Sequence, residues 1–171
     1  MKKIITSILF AFLAGSIMFA QELSAAKETG ALASVVDSLS SQLNKLQHDY
    51  DFLFCDFKLT QEVEKLNTLN HSISLSTDRI MMDLYHNAYN YEMATLRTKE
   101  LESLKSNYDS QKQSIQSTKT LVMLKMVTLD FTKEELDVLH SYFNSIDATC
   151  NSIEAGLRLH EAALTEYKRL R

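Results

Sequence analysis

Two cysteines, Cys55 and Cys150, carry the most reactive side chains in this sequence. In an exported chain an even pair reads as a candidate disulfide. It would close a loop of about 95 residues and contribute about 4–5 kcal/mol on a chain-entropy account. Counting from the expected turns leaves the two about eight residues out of level, or about 12 Å along a helix. Bridged Cα atoms lie within about 7 Å. The alternatives are an inert, buried Cys150 and an exposed Cys55 that pairs between chains.

Carboxylate and imidazole stand one helical turn apart in Asp83-Leu-Tyr-His86 and again in Asp137-Val-Leu-His140. Di-metal bundles use a glutamate-x-x-histidine version of this motif, one from each of two facing helices. In an antiparallel pair these two motifs fall at opposite ends, about 50 Å apart, and cannot share an ion. His71 and His86 approach each other across the first expected turn, but two imidazoles without a third ligand make a weak site. His160 sits in an apolar seam and reads as a hydrogen-bonded core histidine or one that specifies register. The paired acids Glu62 and Glu64, and Glu134 and Glu135, read as solvated helix faces. No nucleophile elbow, phosphate loop or dinucleotide glycine pattern is present. The expectation is therefore no catalytic residue, no cofactor, no metal and no enzyme.

The densest aromatic cluster is Tyr50, Phe52, Phe54 and Phe57, interleaved with Asp49, Asp51 and Asp56. Side chains so spaced cannot all face one neighbouring helix. The segment is either a crossing between three helices or a partner-binding patch. Leu121 to Val127 is apolar nearly all round and raises the same choice, between packing at one end of the bundle and a methionine-rich tip for a partner.

The elements that must position these residues are helices. With no proline and only three glycines in 171 residues, at 15, 30 and 156, the chain has few hard stops and favours a few long helices. The clearest stripe is Leu136, Leu139, Phe143, Ile146, Cys150, Ile153, Leu157, His160, Leu164 and Tyr167, at unbroken three-four spacing. A second runs Leu32, Val36, Leu39, Leu43, Leu46, Tyr50, Leu53 and Phe57 before its register shifts onto Leu59, Val63, Leu66 and Ile73. The polar run from Asn70 to Asp78 predicts a turn. Thr132 with Glu135 has the spacing of a capping box, with Phe131 and Leu136 as a staple, and predicts a helix start. Helices are thus expected over about 31–73, 78–126 and 133–170. The fold class is all-α: an elongated antiparallel three-helix bundle, or a coiled-coil hairpin with the third helix packed along it.

Lys2 and Lys3 followed by the apolar run Ile4 to Ala20 resemble a secretory signal peptide, cleaved between Ala20 and Gln21. Residues 21–30 read as a flexible lead-in and 31–171 as one domain. Removing residues 1–20 takes away two lysines and no acid, moving the formal charge from −4 to −6. Such an acidic chain is a poor match for nucleic acid, which needs clustered Lys and Arg. Arg158, Lys168, Arg169 and Arg171 instead complement the negative end of the last helix dipole. No mature stretch is long and apolar enough for stable membrane insertion.

These features together suggest a periplasmic or secreted bacterial protein, monomeric before homo-oligomeric, that binds another protein without catalysis, such as a minor subunit of a secretion or conjugation apparatus. The alternatives are a periplasmic holdase and a secreted helical effector acting on membranes.

Overall fold

The computed structural model describes residues 29–88 and 90–170. The leader, its Ala20–Gln21 cleavage point and most of the 21–30 lead-in lie outside those residues. The described chain is all-α: α1 is Thr29–Tyr85, α2 is Tyr91–Thr128 and α3 is Lys133–Leu170. It divides into two compact units at Gln47/His48, where the sequence suggested a single domain over 31–171.

Within the second unit the side-chain pairs fix the topology. Thr60 donates to Tyr142, Asn70 to Ser152, and Thr77 meets His160, so α1 and α3 run parallel at a nearly constant offset. Lys105, Lys112 and Lys119, seven residues apart on α2, meet Glu161, Glu154 and Asp147, seven apart on α3. That ladder makes α2 and α3 antiparallel. Asp51 with Lys125 and Glu62 with Ser114 do the same for α1 and α2. The result is an up-down-up bundle with the coiled-coil seven-residue repeat.

No turn forms at Asn70–Asp78, and α1 continues to Tyr85. The polar residues there do not break the helix because their hydroxyls bond back to carbonyls four residues earlier: Thr68 to Glu64, Ser72 to Thr68 and Thr77 to Ile73. Ile73, Ser76, Thr77 and Ile80 are meanwhile buried, and tertiary packing overrides the local preference. The chain turns instead after Tyr85. Asn87 takes a left-handed φ of 51°, a conformation asparagine tolerates. The Asn90 side chain caps α2, accepting from the backbone N–H of Glu92 and Met93 at 2.8 and 3.2 Å. Tyr167 Oη donates to the Ala88 carbonyl at 2.9 Å and accepts from Asn90 N–H at 3.3 Å, tying this turn to the end of α3.

The second turn follows the sequence signal. Glu135 N–H donates to Thr132 Oγ1 and Thr132 N–H to Glu135 Oε2, closing the capping box. Phe131 is buried edge-on against Phe52 and His48.

The largest departure concerns which face of α1 is inside. The core stripe is Cys55, Leu59, Glu62, Leu66, Leu69, Ile73, Ser76 and Ile80, whereas Tyr50, Leu53 and Phe57 are exposed. The buried stripe keeps its own three-four spacing and takes in Leu59, Leu66 and Ile73 of the expected shifted stripe, with Val63 half-buried beside them; the departure is the exposed stretch before it and the two polar positions within it. On α3, all ten residues of the expected stripe are buried or half-buried.

α1 and α3 approach closely where Ile73 meets Gly156: a Cβ at 156 would lie 3.1 Å from Ile73 Cγ2. A Gly156→Leu variant should therefore lose about 1–3 kcal/mol in urea unfolding, from overpacking of this contact. Unchanged or increased stability would mean that α1 and α3 can separate there without loss.

Candidate functional site

The expected site residues separate in space. Cys55 and Cys150 are free thiols, the first fully buried and the second half-buried. At the offset that pairs residue 60 with 142, Cys150 lies about 13 residues beyond the level of Cys55 on α3, about 20 Å by helical rise. The disulfide reading fails on this distance. Pairing between chains through an exposed Cys55 fails on its burial, which follows from the core stripe lying on the face opposite the one expected. Burial pushes the Cys55 thiol up against the pull of Lys125, and Asp51 adds to the rise, so the thiolate is disfavoured.

The aromatic cluster divides. Phe52 packs on Phe131 with ring centroids 6.2 Å apart, and Phe54 lies under the ammonium groups of Lys58 and Lys125 at 5.7 and 5.5 Å. Tyr50 and Phe57 face solvent. Of the apolar run at Leu121–Val127, Val122 is buried while Leu121, Met123, Leu124 and Val127 are exposed. Asp83 pairs with Arg97 at 3.3 Å, and His86 stacks edge-on with Tyr85. Among the described residues no group of three His, Cys, Asp or Glu side chains could hold a metal ion.

Two polar regions stand out, and of these only His160, a hydrogen-bonded core histidine as its place in the seam suggested, was foreseen. One is interior, at the level of His160. His160 Nδ1 lies 3.2 Å from Thr77 Oγ1, whose own hydroxyl hydrogen goes to the Ile73 carbonyl at 2.8 Å. Nδ1 is therefore the protonated nitrogen, and the buried Nε2 has no partner among the described residues. Burial pulls the imidazole down from its ordinary range, opposed by Glu100 and reinforced by Arg97 and Lys105. Arg97, itself buried, holds both Asp83 and Glu100. Burial works against the Glu100 carboxylate, but Ser76, Arg97 and Arg79 together keep its carboxyl below the usual range.

The other region is an open groove between α1 and α2, about 450 Å³ in volume, lined by Gln61, Glu64, Lys65, Thr68, Leu69, Ser72, Leu104, Asn107 and Gln111. Four helical turns of α1 and two of α2 supply these side chains at i, i+3, i+4 and i+7 spacing. The lining offers amides, hydroxyls, a carboxylate and an ammonium over a floor of two leucines. Behind it, the buried Glu62 accepts from Lys65 at 2.9 Å and from Ser114 at 3.1 Å through Oε1. Glu62 Oε2 and Gln111 Oε1 are buried without a partner among the described residues. An apolar pattern passes over such a groove; the only signal for it was the polar excess in the middle of α2.

Residues 17–142 match the family model described as the starch synthase catalytic domain. The chain belongs to that family. The match is partial, covering α1, α2 and the first turns of α3, and its described residues lie in helices and their connecting turns. No curated protein and no solved structure matches the chain. Membership in the starch synthase catalytic domain family corrects the expectation of a non-enzymatic interaction protein. The secretion-subunit, holdase and membrane-effector readings fall with it. The groove between α1 and α2 lies wholly inside the matched stretch. Among the described residues no helix is long and apolar enough to cross a membrane.

The state of His160 carries a pH dependence. Burial disfavours its imidazolium in the folded chain, so the unfolded chain binds the proton more readily. Stability is then full above the ordinary histidine range near about pH 6.5 and falls as the pH drops below it. The melting temperature should decline between pH 7.5 and 5.5, and His160→Gln should flatten that decline while lowering the value at pH 7.5. An equal decline in the variant would assign the effect to other groups.

Proposed function

We propose that the protein takes part in glycosyl transfer and that the α1–α2 groove receives a carbohydrate chain as acceptor. The observation that carries this reading is the family match across residues 17–142. The groove adds chemical support. Sugar hydroxyls are both donors and acceptors, and they are recognised by amides, hydroxyls and carboxylates that can serve either part. Gln61, Asn107 and Gln111 supply three amides, Thr68 and Ser72 two hydroxyls, and Glu64 a carboxylate, on two helices that run alongside each other. Leu69 and Leu104 offer an apolar strip for the C–H face of a sugar ring. The Gln111 amide oxygen, without a partner among the described residues, gains one by turning towards a ligand hydroxyl.

An open, solvent-washed groove gives each hydrogen bond a net contribution of about 0.5–1.5 kcal/mol. Affinity for a short oligosaccharide is accordingly expected near the millimolar range, about −4 kcal/mol. Kinship with the starch synthase catalytic domain makes an α-glucan the acceptor to try first.

The purified chain should be retarded in native gels containing soluble starch, and should lengthen a malto-oligosaccharide when given a nucleotide-activated glucose. Asn107→Ala with Gln111→Ala should weaken glucan binding about tenfold or more, with an unchanged melting temperature. If neither retardation nor elongation occurs, the proposal is wrong. If both occur and the double variant is unaffected, the acceptor lies elsewhere than in this groove.

A further inference from the structure

The heptad stripe that opens α1 is exposed among the described residues. In residues 29–47, Leu32, Val36, Leu39, Leu43 and Leu46 are exposed, from 44% for Leu32 and Leu39 to 58% for Leu43. In the second unit Tyr50, Leu53 and Phe57 continue the same three-four spacing in sequence and are also exposed. We infer that this stripe pairs with the same stripe of a second copy, in a parallel, in-register two-stranded coiled coil.

Three observations favour a second copy as the occupant. The first is the pattern itself: Leu32, Leu39, Leu46 and Leu53 fill every d position, and Val36, Leu43, Tyr50 and Phe57 fill the a positions. Leucine throughout d is the arrangement that parallel dimers use. A strict seven-residue repeat winds helices around one another, whereas a helix lying on a globular surface shows a wider apolar face.

The second is area. Eight side chains about half exposed amount to about four whole ones. At roughly 150–200 Å² each, that is on the order of 600–800 Å² per copy. A pair would cover roughly 1,200–1,600 Å², the size of stable specific interfaces.

The third is charge. In a parallel pair each g residue lies beside the e residue five places on in the other strand, which sets Val35 beside Ser40, Gln42 beside Gln47 and Asp49 beside Phe54. No charge meets its like, and no charge code at these flanks selects a different partner. The charged residues Asp37 and Lys45 stand at the outer b and c positions.

This inference does not depend on the glycosyl-transfer reading. Sedimentation equilibrium of the full chain at tens of micromolar should give twice the 19.5 kDa chain mass. A Leu39→Glu, Leu43→Glu variant should give the single-chain mass, with the cooperative melting of the bundle retained. A monomeric parent overturns the inference. So does a dimer or larger species that persists in the variant, since association would then run through another surface.

Discussion

The approach of Ile73 to the bare backbone of Gly156 sets the geometry on which the second unit depends. Two helices can come this close only where one of them lacks a side chain, and the contact occurs near the middle of the segment they share. Above and below it the pairs Thr60–Tyr142, Asn70–Ser152 and Thr77–His160 repeat one offset. That repetition means α1 and α3 stay in phase for about five turns. With α1 and α3 locked side by side, α2 is held in the remaining position, its lysines against the acids of α3. The ion pairs of that ladder are largely solvent-exposed and contribute little individually, about 0–1 kcal/mol each. Their effect is on register: a shift of one residue would move each lysine about 100° around α2, away from its acid.

The same constraint explains why polar groups are tolerated inside. Glu62 is buried on the α2 side of α1 and is met by Lys65 and Ser114. Asp51 is buried and met by Lys125 at 2.6 Å. Tyr108 donates to the Cys150 carbonyl and to Glu154, and burial together with these neighbours pushes its phenol above the ordinary range. Each of these groups has a partner on another helix, so each of these contacts is made at one register only. Apolar residues alone would allow the helices to slide by a heptad at modest cost. A buried charge left without its partner costs several kcal/mol, and the polar positions therefore discriminate between registers.

Much of the architecture was legible because α3 follows simple rules. Its ten-residue stripe, its capping box and the absence of proline each point to the same helix, and consistency across such signals is what makes a segment readable. α1 is harder because two stripes share it. The apolar one, Leu32 to Phe57, is the more conspicuous and lies outside; the buried one contains Glu62 and Ser76 and starts at Cys55. The misplaced turn at Asn70–Asp78 has the same origin. Serine and threonine are poor helix formers when free to bond elsewhere, but here their hydroxyls return to carbonyls of the same helix, and the helix passes through. The groove left one trace in the sequence, the polar excess in the middle of α2, and nothing that marked it as a groove. Amides and hydroxyls on a helix exterior look the same whether they face bulk water or a concave surface, and only the positions of two helices tell these apart. The family relationship likewise has no single motif in this chain. Gly30 is the one glycine inside the matched stretch, so no glycine-rich phosphate loop announces it.

The distribution of polarity on α1 separates folding from whatever the outer face does. A helix shaped only by packing within its own chain would keep leucines inside and acids outside. Here the interior accepts Asp51, Glu62 and Ser76 while four leucines at seven-residue intervals, from Leu32 to Leu53, remain in solvent. Polar interior positions are explained by register. The exposed leucines take no part in the bundle, and replacing them would leave its core intact. Single exposed apolar residues are ordinary on any protein surface, but apolar residues repeated at heptad spacing, as in residues 32–46 of the first unit, mark surfaces that associate. The two faces of α1 thus answer to different requirements. The inner one fixes which residues of three helices meet, and the outer one is free to be selected for a contact beyond the chain.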